Sequence, residues 1–318
     1  MNARRTVEVA MPNALRRWWQ RAWRRWRARR GDPEAIPTTL WQRVLQGLPW
    51  LQQLSADEQR RLRGLCAAFL ARKRFSGAHG FVVDDHKALL VAAQACLPLL
   101  YRGHAALGWY DGFVGIVLHP HEVRAPRRVT DHVGVVHEYD EALAGEAMQG
   151  GPIVLAWPRV LGHAHSQGVG HNLVIHEFAH AIDMRGKPLG QPADGLPPLP
   201  AGLLGLPATQ AARLWHDTLH AALRQHRRRV TLHEHFAGPA PWLDAYGATS
   251  AAEFFAVSCE AYWVDRARLA AQHPRWTALL DAFFGHPQAP TSATALPAAD
   301  DDLGGDGPPP AVNDAAAP

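Results

Sequence analysis

The strongest chemical signal in the chain is five residues long: His176-Glu177-Phe178-Ala179-His180. On a helix, residues four apart lie on one face, so His176 and His180 can offer imidazole nitrogens to a single metal ion. Glu177 is turned by about 100° from His176. It can reach a water on that ion without being a ligand. Zinc suits such a pair, and it lowers the pKa of a bound water from about 15.7 to about 7. A neighbouring carboxylate can then take the proton, so the motif holds both the metal mount and the base.

The chain has 19 histidines, so the bare motif can arise by chance. Its surroundings argue against that. Leu173, Val174, Ile175, Phe178 and Ile182 make the segment strongly apolar, and unpaired polar groups buried there would cost several kcal/mol, roughly. A catalytic zinc takes a third protein ligand and keeps one position open. The metzincin continuation would put glycine where Asp183 stands and histidine where Gly186 stands, so that class is excluded. A glutamate from a later helix is the other common solution. Ala251-Ala-Glu253-Phe-Phe-Ala-Val-Ser-Cys-Glu260 offers two, seven residues apart on one helix face. By spacing alone, either can ligate while the other holds an imidazole N–H from behind. Asp183 can likewise orient a ligand histidine, or pair elsewhere.

These residues need elements to hold them. The pattern predicts helices from Leu40 to Leu51 and from Ser55, whose Ser-x-x-Glu58 is a capping box before Leu62, Leu65 and Phe69. A third helix is predicted over 86–101. Short strands follow at Phe113–Leu118, Gly134–His137 and Gly151–Trp157. A Gly/His loop over 162–171 leads into the motif helix, Asn172–Met184. Pro and Gly make 185–207 an irregular loop. Helices resume at 208–229, 249–264 and 275–284. The expected class is α+β, mainly helical, with a small mixed sheet beside the metal helix and a helical N-terminal region.

Charge divides the chain into three parts. Residues 1–30 hold ten Arg and one Glu, an Arg/Trp arm in which Trp19, Trp23 and Trp26 fall at helical spacing. Residues 287–318 hold five Asp and no base, in an Ala/Pro/Gly context expected to be disordered. The net charge is +4, so 31–286, the expected catalytic domain, balances to zero (4 − 9 + 5). Nothing in that balance suggests that the core binds nucleic acid. Cys66, Cys96 and Cys259 are odd in number, distant, and in no CxxC pair. They fit a reducing compartment. The apolar stretch Ala88–Tyr101 is too short to span a bilayer and no secretory signal is evident, so the expectation is a cytoplasmic protein.

Further segments extend the pattern: Val91–Leu100, Gly134-Val-Val-His137-Glu138, Gly145-Glu146, Gly151–Trp157, Asn172–Asp183, Asp244-Ala-Tyr246, and Glu253 to Val257 and on to Glu260. In this order, along about 40–285, the chain resembles the Mlc titration factor A (MtfA) family of bacterial zinc metallopeptidases. The resemblance implies a gluzincin-like site with one Zn2+ on His176, His180 and Glu253, with Glu177 as base. It implies that Tyr246 is an active-site tyrosine able to hydrogen-bond the oxyanion. It also implies aminopeptidase-like cleavage and binding of an Mlc-like transcriptional repressor. The chain departs from the family pattern in the arm, the acidic tail, the long 185–207 loop, and Gly247 in place of the usual alanine. Two functions follow as expectations. One is a peptidase whose peptide substrate lies extended along the strand Ile153–Trp157. The other is a regulatory protein that sequesters a transcription factor, with zinc structural.

Overall fold

The computed structural model describes residues 32, 35–130, 136–143, 145–147, 150–165 and 171–298. The first helix, α1 (Thr38–Gly47), stops ahead of Pro49, which opens a short 3-10 turn, Pro49–Gln53. Ser55 then starts α2 (Ala56–Arg72) through the predicted capping box. Glu58 N–H donates to Ser55 Oγ at 3.3 Å, and Ser55 N–H donates to Glu58 at 2.8 Å. Asp84 caps α3 (Asp85–Cys96), and Pro98 converts the predicted remainder of that helix into a 3-10 turn.

A four-stranded sheet lies beside these helices, in the order β1 (Arg74–Gly77), β2 (Gly115–His119), β6 (Ile153–Ala156), β5 (Gly145–Ala147). The first three strands are parallel, with Phe75 opposite Ile116 and Ile116 opposite Ile153. The fourth, β5, runs antiparallel to β6, with Ala147 opposite Ile153. The sheet is therefore mixed, as expected. One expectation is corrected: β6, the strand along which an extended peptide was expected to lie, is not an edge. It is paired on both sides, and the outer strands among the described residues are β1 and, next to β6, β5. A separate antiparallel pair, β3 (Val123–Thr130) with β4 (Val136–Leu143), extends well past the predicted His137.

After β6 the chain turns directly into α4 (Trp157–His165), where a strand end and a Gly/His loop were predicted. The metal-motif helix α5 (Leu173–Asp183) follows. Then come the 29-residue α6 (Ala208–Phe236), α7 (Ala251–Val264), α8 (Arg266–Gln272) and α9 (Pro274–Phe284). The short α8 was missed because Arg-Ala-Arg carries little periodic signal; Asp265 starts it by accepting from Arg268 N–H at 3.2 Å. Helix α5 is apolar almost all round, which is the pattern of a buried helix. Its Phe178 is fully buried against Phe69, Tyr110 and Phe113.

The 185–207 loop is irregular, as predicted, yet tightly fixed. Asp183, fully buried, accepts from Asp194 N–H at 3.0 Å and Gly195 N–H at 2.7 Å, and takes Lys187 Nζ at 2.7 Å. Gly195 has φ +82°, and a Cβ there would lie 2.6 Å from Ala251 O at the start of α7. Only glycine both adopts that backbone and leaves that space.

The arm, 1–30, falls outside the described residues, as does 299–318. The expected disorder from 287 is corrected for 287–298. Here Leu296 is buried, Ala289 and Ala293 pack on the core, and Arg275 donates to Pro297 O at 2.5 Å. A leucine and two alanines cover apolar surface that an Ala/Pro composition conceals. Deleting 299–318 is therefore expected to leave the thermal midpoint unchanged. Deleting 287–318 should expose the site of Leu296, at a cost of about 1.5–3 kcal/mol, and lower the midpoint by roughly 3–12 °C at about 2–4 °C per kcal/mol. Calorimetry of the two truncations checks this; equal midpoints would refute it.

Candidate metal centre

Asn172 sets the start of α5. Its side chain accepts from Ile175 N–H at 3.0 Å, its amide donates to Gln94 Oε1 on α3 at 2.8 Å, and its backbone N–H donates to Glu260 on α7. Three helices are thereby keyed to one buried residue. On α5, His176 and His180 then face the same way, with ring centroids 4.8 Å apart. Ser250 caps α7 by accepting from Glu253 N–H at 3.1 Å, which brings the Glu253 carboxylate to the two rings.

The three candidate ligand atoms form a nearly equilateral triangle. His176 Nε2 and His180 Nε2 are 3.1 Å apart, and Glu253 Oε2 lies 3.1 Å from the first and 3.2 Å from the second. Zinc bonds of about 2.0–2.1 Å in tetrahedral geometry imply ligand–ligand distances of about 3.3–3.4 Å. The donor set, two imidazole nitrogens and a carboxylate oxygen, is also one that zinc takes. The residues fit such an ion. This is the one group of three metal-ligating side chains among the described residues.

Glu260 occupies the other place that spacing allowed. Its Oε1 lies 2.7 Å from His176 Nδ1. A carboxylate only accepts, so a ring proton sits on Nδ1; a metal ion would then displace only the proton on Nε2. Two residues apart in role but one helix face in origin, Glu253 and Glu260 bracket His176. Burial opposes a charge on that ring, but the two carboxylates outweigh it and hold His176 well above the ordinary imidazole range. Burial likewise opposes ionisation of Glu253, and the hydrogen bonds from His176 and His180 overcome it, holding Glu253 well below the usual carboxylate range. Glu177 is 5% exposed, and burial raises its carboxyl above the ordinary value. Asp183, the candidate orienter of a histidine, pairs instead with Lys187 and the 194–195 backbone.

Tyr246 stands at the rim, half-exposed, its ring 6.2 Å from that of His176. It sits in a 3-10 turn, Ala245–Ala248, started by Asp244, whose Oδ1 accepts from Tyr246 N–H at 2.9 Å. Gly247 has a packing reason: a Cβ there would meet Val257 on α7 at 3.3 Å. The absence of a methyl lets the tyrosine turn press against the helix that carries Glu253. Sequence reasoning missed the partners of Asp244. His171 Nδ1 lies 3.1 Å from its Oδ2, and His226 Nε2 lies 2.9 Å from its backbone oxygen. That hydrogen bond from His171 is the main cause holding Asp244 below the usual carboxylate range. Gln94 and Asn172 were missed in the same way. Their signal is a polar side chain inside an otherwise apolar run, which demands a partner without naming it.

A helix bearing two histidines and a buried acid, a glutamate from a second helix, and a short mixed sheet alongside define a zincin-like metallopeptidase domain. The profile of the family described as glucose-regulated metallo-peptidase M90 matches residues 20–285, and the chain belongs to that family. The match begins inside the segment read as an arm. Similar relatives carry the name Mlc titration factor A. That of Salmonella agona (strain SL483) is 34% identical over 258 residues, covering 81% of this chain and 89% of the relative. That of Salmonella choleraesuis (strain SC-B67) is 34% identical over 265 residues, 83% and 91%. That of Enterobacter sp. (strain 638) is 33% identical over 258 residues, 81% and 88%.

Proposed function

We propose that this metallopeptidase is a zinc-dependent, aminopeptidase-like enzyme, with His176, His180 and Glu253 as metal ligands and Glu177 as general base. The observation that carries the reading is the triangle of ligand atoms with a buried acid next to it in sequence. A structural zinc site is closed by protein ligands, whereas here three protein ligands leave a position for water or substrate. When bound, zinc supplies a Lewis acid that acidifies water and polarises a carbonyl. Glu177 takes the proton of the attacking water and passes it to the leaving amine. Glu260 keeps His176 in the required tautomer. The peptide lies extended against the outer edge of β5, adding a strand to the sheet. The domain runs from the family match to about residue 298, and the compartment is the cytoplasm; three free, buried cysteines fit a reducing environment. Among the described residues, no helix is long and apolar enough to cross a membrane.

The test is hydrolysis of a peptide library by purified protein, with and without a chelator, alongside metal analysis. Zinc near one per chain and chelator-sensitive cleavage are expected. Full activity in a metal-free protein would refute the reading. Tyr246 is proposed to donate its phenol hydrogen bond to the oxyanion. Tyr246→Phe should keep zinc and lose about 100- to 1,000-fold in kcat, the scale of one lost oxyanion donor. Unchanged kcat would remove Tyr246 from the mechanism.

The relatives' name favours a second role, binding of an Mlc-like repressor. That role needs no base, so Glu177→Gln separates the two. Pull-down of a repressor by the variant, with hydrolysis abolished, would show both on one scaffold.

A further inference from the structure

A cavity of about 320 Å3 opens on the flank of α5 that carries the base. At 100° per residue, Glu177, Ala181 and Met184 form one stripe beside the stripe of His176 and His180. Ala181 and Met184 line the cavity. Met184 lies about 6 Å beyond His180 along the axis, at roughly 1.5 Å per residue. Trp109 and Phe113 also line it, as does Ile153 at the start of β6. The cavity therefore sits where the end of the metal-motif helix meets the start of β6.

Its walls are built rather than loose. Lys73 is buried and donates to the backbone oxygens of Tyr110 and Phe113, with its Nζ 3.8 Å from the centre of the Phe113 ring. This ties down the segment that carries both aromatic walls. The cations that line the cavity are already partnered. Arg185 lies over the Trp109 ring at 4.6 Å and donates to Pro198 O, while Lys187 is held by Asp183 and Asp194. Asp111, exposed at the rim, adds a negative charge. Such a surface favours an apolar ring or branched chain and disfavours an acidic one.

We propose that this cavity is the principal specificity pocket, taking a large apolar or aromatic side chain from a substrate residue adjoining the scissile bond. This deepens, and rests on, the reading of the site as a peptidase. The spacing suits it. Along an extended peptide each residue advances about 3.3 Å, so a side chain next to the bond at the metal reaches the Met184 end. A ring is also what the volume holds: at roughly 30 Å3 per water-sized group, it has room for about ten.

Gly112 offers a test, because it lines the cavity and a Cβ there meets nothing within 4 Å, so a larger side chain is accommodated without a clash. Phenylalanine hydroxamate and glycine hydroxamate, both metal-chelating, are titrated calorimetrically into zinc-loaded protein. The wild type should bind the phenylalanine compound about 10- to 200-fold tighter, the discrimination an apolar pocket achieves. Gly112→Leu should close that gap to within about threefold. Met184→Phe, which enlarges another lining side chain, should do the same and stands in should the first variant misfold. Peptide cleavage should shift in parallel from large apolar residues toward Gly and Ala. Equal binding of the two compounds by the wild type would overturn the pocket and leave the peptidase reading standing, as would a preference surviving in both filled variants. Binding of neither compound would sink the peptidase reading and the pocket with it.

Discussion

Glu177→Gln is expected to retain zinc at wild-type stoichiometry and to lose about 100- to 10,000-fold in peptide hydrolysis, the usual contribution of a positioned general base. The substitution is nearly isosteric, so the packing of α5 survives. Glu177 is 5% exposed, and its neighbours along the helix, Ile175, Phe178 and Ala179, are buried apolar residues. An amide in this position cannot accept the proton that a carboxylate takes. The environment also tunes the acid it replaces. In the metal-free site, burial raises the Glu177 carboxyl above its ordinary value. Single-turnover assays with metal content measured on the same sample separate loss of the base from loss of the ion. Turnover like that of the wild type in zinc-loaded Glu177→Gln would show that another group takes the proton.

The ligand helix was the most legible part of the fold. Asn172–Met184 was predicted as helix, and α5 spans Leu173–Asp183 with Asn172 as its cap. Capping chemistry made α2 equally plain. What the sequence hid was structure whose stabilisation comes from distant partners. Strand β1 has only four residues and exists because Phe75 pairs opposite Ile116. Strand β3 carries Pro126, which argues against a strand until its antiparallel partner β4 is known. Helix α4 begins at Trp157-Pro158, residues that equally end a strand. In the site, the two glutamates on one face of α7 were visible but not their division of labour. Spacing fixes a face, whereas the depth at which α7 crosses α5 decides which carboxylate meets the rings. Asp183 shows the limit of spacing arguments. It lies three residues after His180, yet the loop that follows claims its carboxylate.

That division of labour makes the second large effect. Glu253→Gln should weaken zinc binding about a thousandfold or more, and Glu260→Gln only about 10- to 100-fold. Glu253 is the one charged ligand in the proposed set, the two imidazoles being neutral when they bind. A unit charge about 2.1 Å from a dication is worth about 4 kcal/mol even at the dielectric constant of water, which is about three decades in affinity. Glu260 cannot replace it. It lies seven residues on, about 10 Å along the helix axis, with one oxygen against His176 Nδ1 and the other on Asn172 N–H. A glutamine at 260 can satisfy only one of these two donors with its single oxygen. If its NH2 faces His176, the ring proton must move to Nε2, the atom that should bind zinc. If it faces Asn172, the cap of α5 loses its acceptor, and a buried donor left unpaired costs about 1–3 kcal/mol. The two variants therefore differ in a second readout. Glu260→Gln should lower the thermal midpoint of the metal-free protein as well as its zinc affinity, whereas Glu253→Gln should act chiefly on the metal. Competition against a chromophoric chelator ranks the affinities, and calorimetry of the metal-free proteins ranks the midpoints. Loss of zinc in Glu260→Gln with retention in Glu253→Gln would invert the assignment of ligand and support.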